Sequence, residues 1–214
     1  MCGIAEIEDL VGDVVRAYVE TSPGSKMFRE ELRYIKFRYN GGSLELKEND
    51  GAASLQSIHL FNLDDHGIAL KPDDFHVRFF KANSWNKAVD YLILTSHRSQ
   101  CYAIFIDLKS SINDKPDVSD QLLIVDSKED KKKEQQFCGA EALFDYLKML
   151  LETKYGVTGM GQYQIRKWIL YESVKTRSGV QSPVMLTAHK RKKSNDVRTM
   201  QVADGVALDV TKLL

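Results

Sequence analysis

The stretch YAIFIDLKSS, Tyr102 to Ser111, is apolar for five residues and then sets Asp107 and Lys109 two positions apart. Side chains alternate along an extended strand, so this acid and this amine share a face. Upstream, AVDYLIL (Ala88 to Leu94) carries a second acid, Asp90, at the head of another apolar run. A turn centred between Arg98 and Ser99 in the polar SHRSQ sets Thr95 opposite Tyr102 and Asp90 opposite Asp107. Directly opposed residues hold their Cβ atoms ~4.5–5.5 Å apart, and like charges there repel. Strands apolar on both faces belong inside a covered sheet, where facing carboxylates are costly unless one protonates or a cation joins them. Mg²⁺ resolves the conflict, because it typically binds through one or two carboxylates plus phosphate oxygens and water. Such an ion polarises a phosphate and lowers the pKa of its bound water. Lys109 can then orient or deprotonate that water, or neutralise the charge that develops. The pattern points to hydrolysis of phosphodiester bonds, and a one-residue slip of register would undo it.

The elements that must position these residues can be read around them. Ile4 to Val19 has apolar residues at helical spacing, stopped by TSPG. ELRYIKFRYN followed by GGSLELKEN alternates apolar with polar and predicts a hairpin, and Ser54 to Leu63 and Asp74 to Lys81 predict short strands. The strands Val89 to Thr95 and Tyr102 to Leu108 come next, then an irregular polar segment from Ser110 to Asp120. Phe137, Ala140, Leu143, Phe144, Leu147, Leu150 and Leu151 mark one face of a helix ending near Gly156. YQIRKWILYES and SPVMLTAHKRKKSNDVRTMQVADGVALDV predict three closing strands. The order predicts a mixed α/β sandwich around one central sheet.

At 214 residues the chain suits a single domain. Thirty basic and thirty acidic residues cancel, so a polyanion would have to meet a local basic patch. HKRKKSNDVR supplies one, with Lys190, Arg191, Lys192 and Lys193 as candidate contacts to nucleic-acid phosphates, against the alternative of a solvated turn. KEDKKKE mixes both signs and reads as a solvated helix start. No apolar run approaches the ~18 residues that would cross a bilayer, and no basic-then-apolar leader opens the chain. Cys2, Cys101 and Cys138 form no CxxC pair, and their odd number argues against a disulfide framework. The expected compartment is the cytoplasm, with no membrane association. The five histidines show no metal-ligand spacing for zinc. Trp85 and Trp168 could stack on bases, but core packing is the simpler reading. The opening MCGI resembles that of N-terminal nucleophile amidotransferases, yet AEIEDLVGDVVRAY continues it as an amphipathic helix instead of a strand.

AVDYLIL followed after a short turn by AIFIDLK resembles the PD-(D/E)xK nuclease superfamily, over Trp85 to Tyr155. The resemblance implies a restriction-endonuclease-like mixed central sheet flanked by helices. It implies one domain over 1–214, with the motif region at 85–155 and an elaboration of helix and strands at 1–84. Asp90 and Asp107 would hold Mg²⁺, with Mn²⁺ able to substitute, and Lys109 would complete the catalytic set. The preceding helix often supplies a glutamate, for which Glu6, Glu8, Glu30 and Glu31 all qualify. The following helix often lends a polar residue, Gln135 or, better, Gln136. The implied activity is Mg²⁺-dependent DNA cleavage in restriction, repair or defence against phage, by a homodimer or with a partner subunit. The alternative is a non-catalytic subunit of the same fold that binds DNA or a protein.

Overall fold

The computed structural model describes residues 5–7, 34–37, 44–48, 53–63, 67–72, 88–113, 128–156, 162–175, 188–189 and 197–214. Their strands are β1 (Tyr34–Phe37), β2 (Leu44–Lys47), β3 (Ser57–Phe61), β4 (Gly67–Leu70), β5 (Tyr91–His97), β6 (Gln100–Asn113), β7 (Gln164–Lys175), β8 (Ala188–His189), β9 (Val197–Gln201) and β10 (Val206–Asp209). A long helix, α1 (Lys128–Tyr155), stands between β6 and β7.

The central hairpin β5–β6 adopts the expected register, with His97 opposite Gln100, Thr95 opposite Tyr102 and Tyr91 opposite Ile106. Its turn has φ 49° at Arg98 and 64° at Ser99. Two successive positive φ values characterise the two-residue loop whose twist matches that of the flanking strands. Strand β6 runs on to Asn113, so the segment read as irregular from Ser110 begins as strand. A parallel neighbour needs a crossover. Helix α1 provides it, and β7 pairs parallel to β6 from Tyr102↔Gln164 to Asn113↔Lys175.

Seven strands form one mixed sheet in the order β1-β4-β5-β6-β7-β9-β8. Alternation sorts its side chains. Leu92, Leu94, Ala103, Phe105 and Ile169 face α1, where they meet Phe137, Ala140, Phe144, Leu147 and Leu151. Those helical residues recur at three- and four-residue spacing, one stripe of the helix. Phe144 meets Phe105 and Tyr163 edge-on, with centroids 6.1 and 5.5 Å away. Lys167 reaches up from β7 to Glu141 at 2.6 Å. The helix closes at Gly156 (φ 62°), whose N–H donates to the Glu152 carbonyl at 3.1 Å.

The other face carries Tyr91, Ile93, Ile104, Ile106, Leu108, Trp168 and Leu170. The expected mixed central sheet is present, but strands cover this face of it where a helix was expected. A second sheet of three strands, ordered β10-β3-β2, covers this face. Leu44, Leu46, Ile58, Leu60 and Leu208 form its inner side, while Glu45, Lys47 and Ala207 alternate toward solvent. Strands with this one-sided pattern need one covered face, and the central sheet supplies it. The expected hairpin of β1 and β2 is corrected too: β1 joins β4 in the large sheet, and β2 joins β3 in the small one. The last residues are tied in, with the Trp168 indole N–H donating to the Leu213 carbonyl at 2.8 Å and the Arg166 Nε–H to that of Leu214 at 2.6 Å. The cysteine expectation needs amendment as well. Cys101 is disulfide-bonded, while Cys138 is exposed.

Of the expected N-terminal helix only 5–7 is described, as helix, with Ile7 in the core under α1. The strand expected over Asp74 to Lys81 lies outside the described residues. No helix among the described residues is long and apolar enough to cross a membrane.

Candidate functional site at the end of the central hairpin

The backbone ladder between β5 and β6 ends at Tyr91↔Ile106. One step further the chain bends at Asp90, and the Asp90 side chain takes over from the ladder, its Oδ2 accepting the Leu108 N–H at 2.5 Å. Strand β6 runs on past this point, still paired with β7 on its other edge from Asp107↔Ile169 to Asn113↔Lys175. The ladder of the hairpin therefore ends where the acids stand. Continuing the same register sets Asp90 opposite Asp107. Asp107 lies on the face that carries Phe105, two residues before it in β6.

Asp107 is 0% exposed, and the Lys109 ammonium lies 2.8 Å from its Oδ1, with the lysine side chain 30% exposed. The amine thus reaches the buried carboxylate from the solvent side. Burial pushes the Asp90 carboxyl up to about 8, and the charge of Asp107 and then Glu48 adds to this, against Lys109 and the Leu108 N–H, which pull it down. Burial alone would lower Lys109, but Asp107, by charge and hydrogen bond, then Asp90 and Glu48 outweigh it and hold the amine above its ordinary range. The hairpin end therefore gathers two carboxyl groups around one ammonium: Asp107 pairs with Lys109, and Asp90 holds its proton up to about pH 8.

This donor set fits a hard cation of a particular kind. Oxygen ligands from Asp90 and Asp107 suit Mg²⁺ bound by two carboxylates with water and phosphate making up the remainder. It does not fit an all-protein cage: among the described residues no three His, Cys, Asp or Glu side chains gather into a metal-holding group.

The structure brings Asp90, Asp107 and Lys109 together. Gln136, near the start of the apolar stripe of α1, donates from Nε2 to the Ala88 carbonyl at 3.5 Å, two residues before Asp90. It braces the strand that leads into the site. The side chain of Gln135 and the whole of Lys190, Arg191, Lys192 and Lys193 lie outside the described residues, as do Glu8, Glu30 and Glu31. Glu6 is described, and its charge acts on Tyr163. Tyr163 precedes Gln164, which is level with Tyr102, roughly 16 Å along β6 from Asp107 at the usual rise per residue. Glu6 therefore belongs to the turn end of the sheet.

The acid that sequence reasoning missed is Glu48, directly after β2, whose charge acts on both Asp90 and Lys109. No spacing in the chain links position 48 to position 90, and their proximity arises only when the small sheet packs on the large one. Comparisons with known proteins return nothing similar: no family model, no curated protein and no solved structure matches this chain.

Proposed function

We propose that this protein is a Mg²⁺-dependent nuclease that hydrolyses DNA phosphodiester bonds, with a restriction-endonuclease-like fold. One observation carries the reading: at the end of a buried hairpin Asp90 accepts the N–H of the residue after Asp107, and a lysine ammonium lies 2.8 Å from the buried Asp107 carboxylate. Asp90 and Asp107 would hold the ion, and Mn²⁺ would replace Mg²⁺. Bound there, the metal supplies a polarised phosphate and a water of lowered pKa. Lys109 stands beside Asp107, where its ammonium offsets the negative charge that gathers on a phosphate during attack. Asp90 keeps the hairpin end closed through the Leu108 N–H, and Gln136 holds the strand before it. The balanced overall charge assigns DNA contacts to a local surface, to Lys190–Lys193, or to a second copy or partner subunit.

The test is cleavage of plasmid DNA with Mg²⁺ or Mn²⁺. Wild type should nick or linearise it, and Asp107→Asn should lose at least ~100-fold in rate, the scale on which removing an electrostatic catalytic group acts. DNA binding should survive the substitution. Equal trace cleavage by wild type and Asp107→Asn would favour the second reading, a subunit of the same fold that binds DNA or a protein without cutting. One observation speaks for that alternative: Lys109 already pairs with the buried Asp107 at 2.8 Å.

A further inference from the structure

The turn end of the central sheet carries a covalent feature that the acid site does not use. Cys101, the second residue of β6, stands opposite Ser96 beside the turn and is disulfide-bonded. It shares a face with Ala103 and Phe105 and packs against the apolar layer under α1. Ile7, 0% exposed, belongs to the same layer, and so does Tyr163. Because Tyr102 is level with Gln164, Cys101 and Tyr163 each stand one residue before that pair. The charge of Glu6 acts on Tyr163. The helical turn over residues 5–7 therefore lies at the same end of the sheet as Cys101.

We infer that the partner of Cys101 is Cys2, and that this bond is an oxidation-dependent clamp fastening the start of the chain to the turn end of the central sheet. The chain holds three cysteines, so the choice lies between Cys2 and Cys138. Cys138 is an exposed thiol on α1, and its place there gives the reason. Gln136, two residues earlier, reaches the Ala88 carbonyl at the acid end of the sheet. Cys101 stands six residues from Asp107 along β6, roughly 20 Å at the usual rise, whereas a disulfide holds its Cα atoms only ~4.4–6.8 Å apart. Cys2 precedes Ala5 by three residues, a length of chain that reaches ~10 Å when extended. The bond forms by exchange with a small disulfide such as oxidised glutathione. The thiolate of one cysteine attacks it and takes up one half, and the second cysteine then displaces that half. The two cysteine thiols lose two electrons and two protons, and the small disulfide leaves as two thiols. The closed loop takes in about 100 residues, the long-loop case in which a cross-link restricts the unfolded chain most.

Peptide mapping of the whole chain, incubated with oxidised glutathione and alkylated without reduction, tests the pairing. Trypsin should release the peptide ending at Arg16 joined to the peptide Ser99–Lys109, and dithiothreitol should separate them. Cys138 should carry the alkyl label in the peptide Glu134–Lys148. Reduction should lower the melting temperature by roughly 5–15 °C, the range for losing a long-loop disulfide in a chain of this size. Cys2→Ser should reproduce that loss and make the melting temperature insensitive to dithiothreitol, while Cys138→Ser should behave as wild type. A linkage from Cys101 to Cys138, a disulfide between two copies, or alkylation of Cys2 and Cys101 before reduction overturns the inference. A wild-type melting temperature unchanged by reduction overturns the clamp, and so does a Cys2→Ser variant whose melting temperature still falls. Should Cys2→Ser not fold, the wild-type peptide map decides by itself.

Discussion

Asp90 is the residue through which pH should act on this protein. Its carboxyl is raised from 3.8 to about 8, first by burial and then by the charge of Asp107. The folded state therefore holds this proton more tightly than the unfolded chain does. A raised acid contributes stability that is complete below its unfolded pKa and disappears as pH climbs to the folded value. Stability should consequently decline between about pH 4 and pH 8 by an amount on the order of a few kcal/mol. Lys109, also raised, loses its contribution only in the alkaline range above its ordinary pKa, so it leaves this slope alone. Asp90→Asn can still accept the Leu108 N–H and carries no charge. Urea unfolding across pH 5–9 should show this variant overtaking wild type toward pH 8. Parallel curves for the two proteins would contradict the assignment.

The turn is the informative feature at the scale of elements. Arg98 and Ser99 both have positive φ, with φ 49° and 64°. Residues with a Cβ are strained in that region, whereas asparagine and glycine adopt it readily. The strands tolerate the strain because the apolar runs on both sides demand that register. Arg98→Asn combined with Ser99→Gly should raise stability by about 1 kcal/mol, read from the denaturant midpoint at unchanged slope. A decrease would mean that the turn has another geometry. On α1, Phe144 is 1% exposed and meets rings from β6 and from Tyr163. Phe144→Ala should cost about 3–5 kcal/mol, measured the same way.

Two apolar layers share the central sheet at the scale of the whole molecule, one under α1 and one under the second sheet. Trp168 is 4% exposed in the second layer and hydrogen-bonded to Leu213. Its fluorescence reports on the packing of the two sheets, whereas far-UV circular dichroism follows the helix strongly. If both layers depend on the one sheet between them, the two signals should unfold at the same midpoint. Leu60→Ala, which opens the interior of the second layer, should move both midpoints together and cost about 2–5 kcal/mol. Separate transitions would mean that the second sheet folds by itself.

Local geometry was legible from the chain alone. The apolar runs around Asp90 and Asp107 define β5 and β6, the polar pair Arg98–Ser99 sets their register, and period-two alternation places Asp107 and Lys109 on one face. The stripe from Phe137 to Leu151 identifies α1 by the same kind of short-range periodicity. Glu48 could not be found this way, nor could the cover over Tyr91 and Ile104, nor the separation of β1 from β2 into different sheets. Those depend on which apolar face packs against which, and alternation along a strand states that a face must be covered without stating by what. That the charge of Glu48 bears on Asp90 was decided by tertiary packing, because the hydrogen bond between Tyr91 and Lys47 that joins the two sheets spans distant parts of the chain and leaves no mark in local spacing.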